Sequence, residues 1–114
     1  MSDKLKELTL KRKLAHKELV QRKSKVYEAF LKMEEATYSD GALSKKSKEL
    51  IAVGISVVID CESCMQWHIE QAYKSGASEK EVLEAIEVGI EMGGGPATVS
   101  ARFALEVLNS IYSN

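Results

Sequence analysis

Cys61 and Cys64 are the whole thiol inventory of this 114-residue chain, and they stand in a Cys-x-x-Cys spacing. A disulfide-stapled scaffold uses more cysteines, spread further along the chain, so local dithiol chemistry is the better reading. His68 follows four residues after Cys64. At about 100° per residue, the spacing predicts Cys61, Cys64 and His68 within roughly 60° of one another on a helix. Met65, Ile69 and Ala72 border that sector and Gln66, Glu70 and Lys74 point away from it, so the thiols are expected to face inward. A helix start favours thiolate, and His68 can serve as base or as stabilising imidazolium. Cysteines three apart in one turn close a disulfide at little loop-closure cost.

Glu49 is the only acid between Asp40 and Asp60 and heads an apolar run, Leu50 to Ile59. Two placements fit it: an exposed first helical turn, or a partly buried carboxylate that passes protons to a thiol one helix away.

Other chemistries find less support in the residue pattern. Zinc would take Cys61, Cys64 and His68, but a structural site needs a fourth ligand from Glu49, Asp60, the distant His16 or another subunit. No metal and no cofactor are therefore expected. A c-type haem requires histidine directly after the second cysteine, where Met65 stands, and a thioredoxin-like site requires a βαβ context that is not apparent. Gly93–Gly95 follows no strand and precedes no Lys-Ser/Thr, so it reads as a turn rather than a phosphate cradle. Trp67 reads as a packing anchor, His16 as a surface residue, and Tyr27, Phe30, Tyr38, Phe103 and Tyr112 as core or interface groups.

The elements that must hold these residues are helices. Leu5, Leu8, Leu14 and Leu19 form a loose stripe, and Val26, Phe30, Met33 and Thr37 recur at steps of three and four. Tyr38 to Gly41 is a turn cluster, with Ser44 or Ser47 able to cap the next helix. The β-branched run to Ile59 favours a strand by propensity, but its length and the lack of a partner strand make it a buried helix, apolar nearly all round, with Gly54 and Ser56 admitting close neighbours. Gly76 is placed to end the cysteine-bearing helix in a left-handed cap. Ser78 and Glu81 form a capping box, and Pro96 fits the first turn of a last helix running to Ile111. The result is an all-α, single helical domain of five or six helices, with residues 1–25 as a basic N-terminal helix and 26–114 as the main domain.

The charge total is nearly neutral, sixteen Lys and Arg against seventeen Asp and Glu, but residues 4–25 hold nine basic and two acidic side chains. Such a Lys-rich helix is expected to be a solvated face or oligomer contact, not a nucleic-acid site. No apolar run reaches the roughly 18 residues of a membrane span, and no signal-like apolar stretch opens the chain. The expectation is a cytoplasmic protein with no membrane partner.

Glu49, eleven residues, Cys61-Glu62-Ser63-Cys64, three residues and His68 resemble the E-x11-C-x-x-C-x3-H signature of AhpD-like alkylhydroperoxidases within the carboxymuconolactone decarboxylase family. Gly41-Ala42-Leu43, Glu49-Leu50-Ile51-Ala52, Gly76-Ala77-Ser78 and Gly94-Gly95-Pro96-Ala97 resemble the same pattern, from about residue 26 to the C-terminus. The resemblance implies a thiol peroxidase that reduces organic hydroperoxides. Cys64 would be the peroxidatic thiolate, Cys61 the resolving thiol, and Glu49 and His68 the proton relay. Helix-start physics alone favours Cys61 as the more exposed nucleophile, so the order stays open. The family also implies a homo-oligomer, a trimer or hexamer, and an external dithiol or disulfide reductase as partner. Ser63 departs from AhpD itself, which has histidine there. The other reading is a non-peroxidase thiol-disulfide or metal-binding oligomer of the same family.

Overall fold

Ser44 supplies the side-chain oxygen that caps the helix opening at Lys45, accepting from the Ser47 N–H and satisfying one of the free donors of a helix start. The computed structural model describes residues 2–113, so Met1 and Asn114 lie outside it. It contains six helices and no strand among the described residues: α1 Asp3–Gln21, α2 Lys25–Thr37, α3 Lys45–Val58, α4 Glu62–Lys74, α5 Glu79–Gly93 and α6 Gly95–Tyr112. The ambiguous apolar run is thus helical, as its length requires.

Helices α3 to α6 enclose the core. Val53 and Val57 of α3 meet Met65, Ile69 and Ala72 of α4, Val82 and Ile86 of α5, and Phe103, Ala104 and Val107 of α6. Gly54 and Gly89 let α3 and α5 approach backbone to backbone: a methyl built on Gly89 would lie 2.6 Å from the Gly54 carbonyl oxygen. The chain does not cover the apolar α3 all round, as the chain's short length suggests. Ile51, Ile55 and Val58 remain about half exposed beside Val88 and Met92 of α5.

Helix α1 lies outside this core and is fastened to it mainly by polar bonds. Only Leu5 is buried on it. Gln66, read from its helical-wheel position as pointing away from the thiols, is buried and donates from Nε2 to the Leu5 carbonyl and to Thr9 Oγ1. Lys4 pairs with Glu62 and sits 4.8 Å over the Phe103 ring. Helix α2 then folds back, with His16 Nδ1 2.6 Å from the Tyr27 hydroxyl.

Ends of helices were the best-marked features of the sequence. Gly76 takes φ 91°, with the Ala77 N–H bonded to the Ala72 carbonyl, and the Ser78–Glu81 box closes in both directions. Pro96 stands in the first turn of α6.

Candidate active site

The turn between α3 and α4 positions the dithiol. Asp60 adopts φ 55°, a left-handed conformation that Asp tolerates better than most residues. The Cys61 N–H reaches the Ser56 carbonyl and the Asp60 N–H the Val57 carbonyl, which is the Schellman pattern ending α3. Ser100 donates to Asp60 Oδ1 at 2.8 Å and holds the turn from α6. Cys61 therefore both closes α3 and caps α4. Its φ of −103° and ψ of 99° are not helical, so the one-helix wheel applies to Cys64 and His68 but not to Cys61.

A disulfide joins Cys61 and Cys64, with Cα atoms 5.1 Å apart. Cys61 Sγ also accepts from the Cys64 N–H at 3.2 Å, so a sulfur does at this helix start what a serine oxygen does elsewhere. Cys61 and Cys64 are both partly buried.

His68 lies one turn further along α4. Its Nδ1 is 2.7 Å from Glu49 Oε1, which decides between the two placements of the carboxylate: Glu49 is buried, only 1% exposed, one turn inside α3. Lys45 Nζ donates to Glu49 Oε2 at 2.7 Å. A carboxylate ion-paired to lysine only accepts, so His68 Nδ1 donates and Nε2 is left free for proton exchange. Each Glu49 oxygen thus has a partner, as a buried carboxylate requires.

Two residues not singled out as site groups complete this network. The Tyr38 ring packs 5.2 Å from the His68 ring, and Lys45 Nζ sits 5.6 Å over the same tyrosine. Burial, then the charges of Glu49 and Glu34, push the Tyr38 hydroxyl above its ordinary range, so it stays protonated. The i,i+4 spacing of Lys45 and Glu49 was the available signal for the lysine. For Tyr38 there was none, because α2 reaches the site only through the tertiary fold. A cavity of about 350 Å³ opens against Tyr38, Lys45 and Glu49, with Trp67 also on its wall.

Glu49 and His68 thus meet across the α3–α4 seam, with Cys61 in the turn that joins the two helices and Cys64 one turn before His68 on α4, whereas His16 is bonded to Tyr27. Among the described residues no three His, Cys, Asp or Glu side chains are grouped to hold a metal ion. No helix among them is long and apolar enough to cross a membrane.

Comparison with known proteins places the chain in a family. Residues 24–107 match the model of the carboxymuconolactone decarboxylase family. An uncharacterized protein of the cox locus of Paracoccus denitrificans is 40% identical over 84 residues, 74% of this chain and 76% of that protein. An uncharacterized protein of Cupriavidus necator is 36% identical over 83 residues, 73% of this chain and 74% of that one. The fold superposes on a carboxymuconolactone decarboxylase family protein from Legionella pneumophila with a TM-score of 0.89 at 32% identity, covering 96% of this chain and 97% of that one. A Thermotoga maritima family member, for which involvement in an antioxidative response has been suggested, gives 0.84 at 27% identity over 94% and 91% of the two chains. With most of its length matched by the family model and its whole helical order shared with solved members, the chain belongs to the carboxymuconolactone decarboxylase family.

Proposed function

We propose that the protein is a thiol-dependent peroxidase that reduces organic hydroperoxides. The observation that carries this reading is the His68–Glu49 bond one turn from the Cys61–Cys64 disulfide. In the reduced protein, His68 Nε2 takes the thiol proton and Cys64 attacks the terminal peroxide oxygen. The O–O bond breaks, the alkoxide leaves and takes the proton back from His68, and Cys64 becomes a sulfenic acid. Cys61 then attacks the Cys64 sulfur, water departs, and the disulfide forms. An external dithiol or disulfide reductase returns both thiols by exchange, and the cytoplasm supplies such reductants. The cycle needs no metal and no cofactor.

Buried Glu49 supports His68 through the developing imidazolium, and Lys45 holds the other Glu49 oxygen. The half-exposed apolar residues of α3 and α5 fit a homo-oligomer, a trimer or hexamer, because such a patch is unusual on a monomer.

The test is intact-mass spectrometry of the reduced protein mixed with one equivalent of cumene hydroperoxide. Rapid loss of two hydrogens, with matching peroxide consumption, is the expected result. An unchanged mass over minutes overturns the peroxidase reading and leaves thiol-disulfide exchange with protein partners.

A further inference from the structure

The α1–α2 hairpin leaves an unfilled space over α4. Helix α2 buries none of its residues: Val26 and Met33 face solvent, and Phe30, on the wall of this space, stays 48% exposed. Where a packed core would be expected beneath it there is a cavity of about 440 Å³, within the size range of small-molecule sites. Tyr27, Phe30 and Trp67 wall this cavity, and Arg12, Lys13 and His16 of α1 form its rim.

The rim is electropositive. Glu34 is the single acidic residue on the lining, and α1 carries the basic excess of the chain. The Arg12 guanidinium lies 4.6 Å over the Trp67 ring and reaches Glu70 only at 4.0 Å. Its donors are thus oriented by the tryptophan without being taken up by a short ion pair.

We propose that this cavity binds an amphipathic organic monoanion, a medium-chain or aromatic carboxylate. Its body would lie among Tyr27, Phe30 and Trp67 and its head at Arg12 and Lys13. A neutral apolar molecule would leave the rim cations unanswered, an organic cation would be repelled, and a small inorganic anion would leave the aromatic walls empty. Leu31, Glu34 and Trp67 also line the cavity that reaches Tyr38, Lys45 and Glu49. The two cavities therefore share a wall, which places the bound anion next to the cavity that Glu49 lines, and its binding requires no redox role for the cysteines.

The experiment is titration of the full chain with decanoate, below its micelle concentration, by calorimetry and by emission of Trp67, the single tryptophan. Saturable binding with a shift in emission is expected, with 1-decanol, decylammonium and acetate each weaker by about tenfold or more. The double variant Arg12→Gln/Lys13→Gln should weaken decanoate about tenfold, the loss of charge-assisted contacts, while leaving 1-decanol unmoved. Phe30→Glu, which places a carboxylate in the slot, should abolish decanoate binding with helicity retained by circular dichroism. Absence of saturable decanoate binding overturns the proposal, as does equal affinity for 1-decanol or indifference to the double variant. So does acrylamide quenching of Trp67 that falls as ligand-free protein is concentrated, which would assign the cavity to a second copy.

Discussion

His68 Nδ1 and Glu49 Oε1 lie 2.7 Å apart across the α3–α4 seam, so the imidazole is held in one tautomer by a carboxylate that is itself held by Lys45. Glu49→Gln removes the charge that supports a protonated His68. Disulfide formation with cumene hydroperoxide, followed by stopped flow, should slow roughly a hundredfold, as it should in His68→Ala. Lys45→Met should slow it only several-fold, because Glu49 keeps its bond to His68. Equal rates in Glu49→Gln and the parent protein would remove the carboxylate from the mechanism.

The two cysteines should fail differently. Cys64→Ser should abolish peroxide consumption, whereas Cys61→Ser should still react once and stop at a sulfenic acid that dimedone traps at Cys64. The converse pattern, with trapping at Cys61 in Cys64→Ser, would reverse the two roles. That order is a real alternative on geometry alone, since Cys61 caps α4 and receives the Cys64 N–H.

The helix boundaries could be read before the fold was known, and the reason is their locality. The Ser44 cap, the Ser78–Glu81 box, Gly76 and Pro96 depend on a few neighbouring residues, and all four act as their sequence positions indicate. The parts that stayed illegible depend on distant chain. Asp60 replaces the glycine expected at a left-handed cap, and its anchor, Ser100, is forty residues away. Gln66 lies opposite the thiols on the helical wheel, yet α1 covers that side and supplies its acceptors. Tyr38 joins His68 only because α2 folds back over α4.

The exposed apolar face should carry self-association. Ile55, 54% exposed beside Val88 and Met92, is a position where a charge costs the isolated chain little and an interface a great deal. In sedimentation velocity, Ile55→Glu should convert the assembly to a smaller species with unchanged helicity. An identical sedimentation coefficient would move the contact to another face.

Helix packing at the glycine pair should tolerate no methyl. Added at Gly89, it would meet the Gly54 carbonyl at 2.6 Å and Val57 Cβ at 3.0 Å, so α3 and α5 would have to separate. Gly89→Ala should lower stability by about 1–3 kcal/mol in urea. Gly41→Ala meets only the tip of Lys48, at 3.7 Å, and should stay within about 0.5 kcal/mol.

Alkaline stability should report on the tyrosines. Burial, then the Tyr73, Glu81 and Glu79 neighbours, raise the Tyr112 hydroxyl above its ordinary value of 10.0, and this hydroxyl donates to the Ala77 carbonyl. The folded state therefore favours the neutral phenol. Its contribution is fully present below the ordinary value and is lost as pH rises through the raised one. Tyr112→Phe should cost about 1 kcal/mol at neutral pH and flatten the decline of stability in the alkaline range. Parallel pH profiles for the two proteins would contradict this.

The fastening of α1 has a consequence for motion. A helix held by one buried leucine and a few polar bonds separates from the core at a free energy below that of global unfolding. Backbone amides of the hairpin should therefore exchange with deuterium well before those of α3 and α4. An opening that carried the end of α2 with it would lift Tyr38 from His68 and admit water to the imidazole, while the Glu49 bond, lying wholly between α3 and α4, would persist. That exchange pattern would divide the protein into a slow-exchanging chemical frame and a fast-exchanging cover that sets solvent access to His68.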